Sequence, residues 1–289
     1  MTSSLSQAKI TFIGAGSMAE AIIRGLTSKG EGSASRLFVI NRSDTAKLES
    51  LHERYGVSYA ASQGQKDEAI AHGDIIVLAF KPKDAVEGLL GIRSLVRPEQ
   101  LIVSVIAGMS IDTIKGLLGS SSQPVVRTMP NTSSTIGLGA TGISFSSGVS
   151  AEQHELALAM FASTGIVSVV DEPLLNAVNG VSGSGPAYIY YMMEAMIAGG
   201  VELGLEPEEA RRLTVQTVLG AAHMVQSTGE DPAELRRKVT SPGGTTQAAI
   251  ETLDRHGFAE GVAKAMVRCA ERAGEMGAAI SASVTSQTK

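Results

Sequence analysis

The sequence predicts a doubly wound α/β domain followed by an all-helical domain. From Lys9 to Val170, short apolar runs alternate with longer segments of helical period, which is typical of βαβ units around a parallel sheet. A glycine-rich turn follows the first apolar run, and after about Asp171 no convincing strand pattern occurs. The 289 residues are enough for two domains, which we expect at 1–170 and 171–289.

The first domain contains the predicted strands, each a short apolar run bounded by loop residues. Right-handed crossovers are expected between parallel neighbours, and two of the later strands are candidates for an antiparallel direction. The strands are predicted at Ile10–Ile13, Leu37–Ile40, Ile75–Ala79, Leu101–Val105, Pro124–Met129, Thr141–Ser144 and Ile166–Val170. The helices are predicted at Met18–Lys29, Thr45–Tyr55, Lys83–Leu90, Ser110–Leu118 and Ala151–Ser163.

The second domain is predicted to consist of long helices. Pro207 suits a first helical position, and Asp231 suits an N-cap with Glu234 three residues later. The helices are predicted at Ala187–Leu203, Pro207–Thr228, Pro232–Val239, Thr246–His256 and Phe258–Met276. The small, polar tail Ser281–Lys289 is expected to fray.

The segments Tyr188–Met193 and Met196–Val201 are apolar around most of the helix circumference. Such helices must be buried on nearly all sides. A domain of about a hundred residues can hardly bury several of them alone, so an obligate oligomer with interleaved helices is favoured over a compact monomeric bundle.

Composition excludes several classes of protein. Lys+Arg 24 against Asp+Glu 29 gives a net charge of -5 without a run of like charges, so nucleic acid is not an expected partner. The single cysteine, Cys269, indicates a reducing compartment, and the scattered histidines predict no metal site. Met1–Gln7 does not resemble a secretory signal and Pro173–Met193 is too often interrupted to span a membrane, so a cytoplasmic protein is expected.

The turn Gly14-Ala15-Gly16-Ser17-Met18-Ala19 lies between a predicted strand and a predicted helix, as the dinucleotide fingerprint requires. Gly14 permits the tight turn, Gly16 allows the backbone to approach the pyrophosphate, and Ala19 allows close helix–strand packing. The phosphates are expected at the helix N-terminus, beside Ser17 and Met18. These residues predict a Rossmann-type domain that binds a dinucleotide.

The end of the second strand favours NADPH over NADH. NAD sites usually carry Asp or Glu there, whereas this chain has Asn41-Arg42-Ser43. Arg42 can pair with a 2′-phosphate, and Asn41 and Ser43 can donate hydrogen bonds to it. The alternative is that Arg42 is a solvated surface cation. The nearby acidic residue Asp44 makes the pattern less specific for a phosphate.

Two further segments follow strands at the edge where ligands bind. Lys81-Pro82 follows the strand at Ile75, and Lys81 is either a cofactor contact or a lysine at the rim of the site. Asn131 follows the strand ending at Met129 and is either a nicotinamide or substrate contact or a turn-forming asparagine.

The loop Val239–Thr246 combines Pro242, Gly243 and Gly244 with four hydroxyl side chains. Adjacent glycines can direct successive N–H groups toward one anion, although a simple helix–helix connection also explains the pattern. No histidine is paired for acid–base catalysis. Reduction of an imine suits this chain because an imine can arrive protonated and needs mainly a hydride and hydrogen bonds.

These motifs together resemble those of the pyrroline-5-carboxylate reductase family from Lys9 to Gly277. The resemblance lies in the Gly14 turn, Asn41-Arg42-Ser43, Lys81-Pro82, Arg127-Thr128-Met129-Pro130-Asn131, Val181–Tyr188 and above all Val239–Thr246. It implies a helical domain that interlocks with a second subunit as a homodimer, with a decamer of five dimers as one assembly. It also implies reduction of 1-pyrroline-5-carboxylate to proline by NAD(P)H.

The resemblance also implies roles for individual residues. The backbone of Ser241, Gly243, Gly244 and Thr245 is similar to the family's site for the substrate carboxylate. Thr246 is similar to the partner of the ring nitrogen and is assigned as the donor in the reduction. Ala107-Gly108 resembles the segment beside the nicotinamide.

Two alternatives belong to other classes. A 3-hydroxyacid dehydrogenase would carry a catalytic lysine after the domain junction, and Asn176–Gly183 contains none. A dinucleotide-responsive binding protein without turnover would have no need of the hydroxyl-rich loop. Both are less favoured than the reductase.

Overall fold

The structure is a computed structural model that describes residues 5–28, 30 and 33–287. Its centre is an eight-stranded sheet in the order β3-β2-β1-β4-β5-β6-β7-β8. Neighbouring strands from β3 to β6 are parallel, β6 and β7 are antiparallel, and β7 and β8 are parallel to each other. The prediction that two later strands reverse direction is confirmed.

Apart from β3, α3 and the short α7, the strands and the helices that cover the sheet follow the predicted order. The strands are β1 Ile10–Ile13, β2 Leu37–Ile40, β3 Ser58–Tyr59, β4 Ile75–Leu78, β5 Leu101–Ser104, β6 Val125–Met129, β7 Gly139–Phe145 and β8 Gly165–Val169. The first helices are α1 Ser17–Ser28, α2 Thr45–Tyr55, α3 Gln63–His72, α4 Ala85–Ile92, α5 Ile111–Leu118, α6 Ala151–Ala162 and α7 Leu175–Val178. Lys29, the predicted end of the first helix, lies outside the described residues.

Strand β3 and helix α3 were not predicted. The strand has only two residues, and the helix has just two buried side chains, Ala69 and Ile70, so its apolar period is weak. A capping box starts the helix: Ser62 Oγ accepts from the Gln65 N–H at 3.3 Å, and Gln65 Oε1 accepts from the Ser62 N–H at 3.1 Å. This Ser-x-x-Gln spacing is the signal from which α3 could have been predicted.

The sheet is covered on both faces by apolar side chains. One cluster includes Phe12, Ile22 and Phe161 between β1, α1 and α6, and the other includes Leu78, Leu89 and Ile114 between β4, α4 and α5. All four residues of β4 and of β5 are buried, as expected for parallel strands with helices on both sides.

After β8, the described residues form only helices and turns, as predicted. The helices are α8 Gly185–Glu202, α9 Pro207–Thr228, α10 Pro232–Lys238, α11 Thr245–Arg255 and α12 Phe258–Gln287. The predicted fraying of the tail from Ser281 is wrong through Gln287, because α12 continues over this segment. The last residues of the tail, 288 and 289, and the first four, 1–4, lie outside the described residues.

Contacts divide the chain into two compact units. The sheet unit comprises residues up to Ser184 together with those from Arg268 onward, and the helical unit is Gly185–Val267. The division of the protein into domains at residue 170 stays a prediction.

The helical unit has almost no core of its own. Ala210 and Thr214 are its buried residues among those described, whereas Tyr191 is 76% exposed and Leu203 is 88% exposed. No side chain of α8 is buried. Helices that are apolar on most sides are normally buried, so a monomer leaves the apolar side chains of this unit exposed. None of the described helices is long and apolar enough to cross a membrane.

Candidate active site

A glycine turn connects β1 to α1. Gly14 has φ +110°, and its N–H donates to the Ile40 carbonyl at 2.9 Å. A Cβ atom on Gly14 would lie 2.5 Å from the carbonyl oxygen of Ala79, which is closer than real Cβ atoms come. Glycine is therefore required here both by the backbone conformation and by the close approach of the chain after β4.

Helix α1 begins at Ser17, directly after Gly16. The first N–H groups of a helix have no acceptor within the helix, and the helix dipole favours a negative charge at this end. The backbone around Gly16 thus fits the pyrophosphate of a dinucleotide.

A cavity of about 930 Å³ lies at the carboxyl ends of β1, β2 and β4. Strand β1 pairs with β2 on one side and β4 on the other, so the cavity is at the position where the strand order reverses. Ligands of doubly wound sheets bind at such positions. The predicted cofactor residues that line it are Gly14, Gly16, Ser17, Asn41, Arg42, Ser43 and Lys81.

Arg42 is an accessible cation at the end of β2. Its side chain is 76% exposed, and Nη1 lies 3.7 Å from an equally exposed Glu87 carboxylate. Such exposed pairs are weak, so the guanidinium is free to pair with a phosphate. Asn41 Oδ1 accepts from the Arg42 N–H at 2.6 Å, and Asp44 Oδ1 accepts from the Lys47 N–H at 2.9 Å as the N-cap of α2. Asp44 therefore has a structural role.

Sequence reasoning missed six polar residues of this cavity, namely Lys47, Gln63, Lys66, Lys83, Asp84 and Glu87. Lys66 Nζ lies 3.5 Å from the Arg42 carbonyl oxygen, which brings a second cation close to Arg42. Lys66 was missed because it belongs to the unpredicted helix α3. Lys47 also donates to Glu20 at 2.6 Å, so part of its charge is already paired.

The remaining predicted cofactor residues have other surroundings. Lys81 is an exposed residue at the cavity rim, and Pro82 begins a short 3₁₀ turn without lining the cavity. Met18 packs against the core between β1 and α6 and does not line the cavity. Cofactor binding by these residues stays a prediction.

Ala107 and Gly108 follow β5 and line a second, smaller cavity of about 250 Å³. Its polar lining comes from Arg127, Asn176, Asn179, Ser184, Cys269 and Arg272. The Cys269 thiol donates to Ser184 Oγ at 3.1 Å, which connects α12 to the turn that ends the sheet unit. The predicted nicotinamide segment therefore lies beside a partly polar cavity.

An ion pair lies where the chain after Ala107 and Gly108 enters α5. Arg127 Nη1 donates to Glu172 Oε1 at 3.0 Å, and the same oxygen accepts from the Ile111 N–H at 2.8 Å. The Arg127 side chain is 12% exposed and that of Glu172 27%. This carboxylate joins β6 to the first residue of α5.

Asn131 is 8% exposed, and both ends of its amide have partners. Nδ2 donates to the Ser182 carbonyl at 3.1 Å, and Oδ1 accepts from the Ala140 N–H at 3.2 Å. Asn131 lines neither cavity described above. Its contacts join the Met129–Asn131 turn to the Val181–Tyr188 motif, and direct contact with the cofactor stays a prediction.

The predicted substrate loop is a tight turn before α11. The Gly244 N–H donates to the Ser241 carbonyl at 3.0 Å, Gly243 has φ +70°, and its N–H donates to Gln247 Oε1 at 2.7 Å. Helix α11 begins at Thr245 without a side-chain cap.

Two of the predicted carboxylate donors, the Gly243 and Gly244 N–H groups, are thus already paired. The N–H groups of Thr245 and Thr246 belong to the first turn of α11, where the helix supplies no acceptor. Thr246 is half-buried, whereas Thr245 and Ser241 are exposed. The substrate roles of these residues stay predictions, and Gln247 is an additional polar residue of the loop.

No group of three His, Cys, Asp or Glu side chains that could hold a metal ion occurs in the part of the chain that the structure describes. The polar side chains that line the two cavities include basic groups, hydroxyls, amides, carboxylates and the Cys269 thiol.

Comparisons with known proteins match two parts of the chain to two family models. Residues 172–276 match the family model described as pyrroline-5-carboxylate reductase dimerisation, and residues 9–108 match that described as NADP oxidoreductase, coenzyme F420-dependent. Pyrroline-5-carboxylate reductase 1 of Bacillus spizizenii is 42% identical over 93% of this chain and 90% of its own length. The chain belongs to the pyrroline-5-carboxylate reductase family.

Solved structures of this family have the same fold. A pyrroline-5-carboxylate reductase from Coxiella burnetii matches with a TM-score of 0.86 and 36% identity, covering 93% of this chain and 98% of that one. The Plasmodium falciparum pyrroline carboxylate reductase with NADP bound matches with a TM-score of 0.84 and 27% identity, covering 94% and 99%. The family relationship inferred from the motifs is confirmed, as are the Rossmann-type sheet and the helical dimerisation domain.

Proposed function

We propose that this protein reduces 1-pyrroline-5-carboxylate to L-proline by hydride transfer from NADPH, the last step of proline biosynthesis. The observation that carries the proposal is the 42% identity to a pyrroline-5-carboxylate reductase over 93% of the chain. The glycine turn at Gly14, with its space for a dinucleotide, supports it independently.

NADPH is the proposed cofactor, with NADH less favoured. The end of β2 carries Arg42 in place of an acidic residue, and Lys66 lies nearby. A guanidinium pairs strongly with a 2′-phosphate, whereas NADH offers no such charge. The Plasmodium falciparum relative, which has NADP bound, is consistent with this choice.

The substrate is proposed to bind at the N-terminus of α11. The N–H groups of Thr245 and Thr246 are oriented for an anion, and the substrate carboxylate is one. Ser241, Gly243 and Gly244 form the turn that sets the position of these groups.

The Thr246 hydroxyl is proposed to be the hydrogen-bond partner of the ring nitrogen: its oxygen accepts from the N–H of the protonated imine, and its O–H can donate to the nitrogen lone pair of the amine product. The cofactor, when bound, would supply the hydride for the imine carbon, and the nitrogen would keep its proton. Contacts at both the carboxylate and the nitrogen restrict a small ring to one orientation, which hydride transfer requires. Thr246 is the proposed catalytic residue because its hydroxyl would contact the reacting nitrogen.

The protein is proposed to be a cytoplasmic homodimer with interleaved helices, which can assemble further into a decamer of five dimers. Support for the dimer comes from the dimerisation model over 172–276 and from the exposed apolar side chains of the helical unit. Burial of these side chains against a second copy would give the unit the core that it lacks.

The test follows the nicotinamide absorbance band in two directions: NADPH oxidation with 1-pyrroline-5-carboxylate and other cyclic imines, and NADP⁺ reduction with 3-hydroxyacids. Turnover is expected with pyrroline-5-carboxylate. Thr246→Val should lower kcat by about 10-fold or more with little change in NADPH affinity, because one hydrogen bond to a charged group is lost. Thr252→Val on the same helix removes an exposed hydroxyl bonded to Ala248 O and is the matched control.

Turnover of a 3-hydroxyacid alone would favour the dehydrogenase alternative. Tight NADPH binding without turnover of any imine would favour a binding protein. Equal activity of the Thr246 and Thr252 variants would remove the role assigned to Thr246 while leaving the substrate assignment intact.

A further inference from the structure

Two glycines bring α12 into close contact with the Ala107–Gly108 segment. A Cβ atom on Gly277 would lie 2.6 Å from the carbonyl oxygen of Gly108. Conversely, Gly108 has φ +80°, and a Cβ atom there would lie 3.3 Å from the Gly277 nitrogen. The helix and the segment therefore meet backbone to backbone, and a side chain at either position would separate them.

The same part of α12 makes two further contacts with this region. Ser281 Oγ and Thr113 Oγ1 are 2.9 Å apart and share a hydrogen bond, which joins α12 to α5. Ile280 packs against the apolar cluster that contains Ile106, Met109 and Ile114. The contact at Gly277 is thus one of several over residues 277–281, and Ser281 is the first residue of the tail that composition alone predicts to fray.

The ends of the segment are fixed separately. The Ile106 N–H donates to Ser104 Oγ at 3.2 Å, and the Ile111 N–H donates to Glu172 at 2.8 Å. Between these points, the Gly108 backbone faces α12 rather than the sheet. Met276, next to Gly277, lines the same small cavity as Ala107 and Gly108.

We infer that Gly277 is a positioning residue for the reduction: by admitting α12 against the Gly108 carbonyl, it fixes the segment beside which the nicotinamide binds. The inference rests on the proposed function and on the predicted place of Ala107-Gly108 beside the nicotinamide. Hydride transfer is sensitive to displacements well below 1 Å, and a Cβ atom at 2.6 Å from a carbonyl oxygen requires a shift of several tenths of an ångström. The adenosine end is predicted to bind at β1 and β2, and β4 separates these strands from β5, which precedes Gly108.

The test compares Gly277→Ala with Gly274→Ala. Both substitutions place one methyl group on α12 and raise helix propensity equally. At Gly274, however, the Cβ atom would meet only Asn176 Nδ2, at an ordinary 3.6 Å. Gly277→Ala is expected to lower kcat about 10-fold or more, whereas Gly274→Ala should stay within about twofold of the parent protein.

Binding separates positioning from general damage. Adenosine 2′,5′-bisphosphate lacks the nicotinamide, so its affinity should be unchanged in Gly277→Ala, while that of NADPH falls and the change in nicotinamide fluorescence on binding is reduced. Ser281→Ala is a milder second variant, for use if Gly277→Ala does not fold, and should lower kcat about threefold.

Equal kcat values for the two glycine variants would overturn the inference, as would equal losses of NADPH and adenosine 2′,5′-bisphosphate binding. If the parent protein does not reduce pyrroline-5-carboxylate, the proposed function fails. The binding comparison still tests the position of the nicotinamide in that case, because it needs no substrate.

Discussion

Replacement of Glu172 by alanine is expected to destabilise the protein by about 3 kcal/mol. The carboxylate accepts from Arg127 at 3.0 Å and from the Ile111 N–H at 2.8 Å through one oxygen. Its removal leaves a guanidinium that is only 12% exposed without this partner, and the start of α5 without its acceptor.

The magnitude follows from these two losses. Removal of one partner of a fully buried ion pair costs about 3–5 kcal/mol, and the 27% exposure of Glu172 reduces this to about 2 kcal/mol. Loss of a capping acceptor adds about 1 kcal/mol. For a unit of this size, the sum of about 3 kcal/mol corresponds to a fall in Tm of roughly 6–12 °C.

Thermal unfolding of Glu172→Ala, Arg127→Met and the double variant gives the coupling between the two side chains. The double variant should be more stable than the sum of the single losses predicts, because neither charge is then left unpaired. Glu209→Ala is the control, since Glu209 pairs with Arg212 at 2.7 Å on an exposed helix face and should change stability by less than about 0.5 kcal/mol. A Tm for Glu172→Ala equal to that of Glu209→Ala would refute the reasoning.

Three other predictions concern the cofactor side of the sheet. Arg42→Ala should weaken NADPH binding about 10-fold while leaving NADH nearly unchanged, and equal losses in titrations of both would exclude a phosphate contact. Gly14→Ala should abolish NADPH binding because of its φ of +110° and the 2.5 Å contact, whereas Gly116→Ala, with open space at its Cβ position, should bind normally. Burial raises the pKa of Glu20, but hydrogen bonds from two basic side chains outweigh it and lower the pKa to about 2 from 4.5. The pKa of Glu20 in the folded protein lies below that in the unfolded chain, so this carboxylate stabilises the fold above about pH 4.5 and the contribution is lost as the pH falls toward 2. When the free energy of unfolding is measured as a function of pH, Glu20→Gln should therefore reduce its pH dependence only across that range.

The parts of the fold that were predicted correctly have strong local signals. The buried strands β4 and β5 are continuous apolar runs, and α9 begins at Pro207 and is followed by a glycine, Gly229, at its C-cap. Helix α3 has no comparable apolar period, so its two cavity residues, Gln63 and Lys66, could not be placed from the pattern used. The capping box formed by Ser62 and Gln65 is the local sequence signal for α3.

The C-terminal tail shows why composition can mislead. The small, polar residues from Ser281 onward suggest fraying when they are considered alone, and the helix before them is predicted to end at Met276. In the structure the helix continues, because Gly277 has no side chain to separate it from Gly108 and Ser281 shares a hydrogen bond with Thr113. A pattern along one segment does not contain this information, because the contact joins residues more than a hundred and sixty positions apart in sequence.

By itself, the sequence determined the order of the strands and helices apart from β3, α3 and α7, the dinucleotide turn, the family and the apolar helices that favour an oligomer. These follow from local chemistry: apolar period, glycine at a positive φ and short motifs of fixed spacing. Only the tertiary structure decided that Asn131 joins two turns, that Gly243 is paired with Gln247, that Glu172 links β6 to α5, and that Gly277 faces Gly108. Each of these depends on the distance between residues that the chain brings together only when it folds, and no spacing along the sequence specifies that distance.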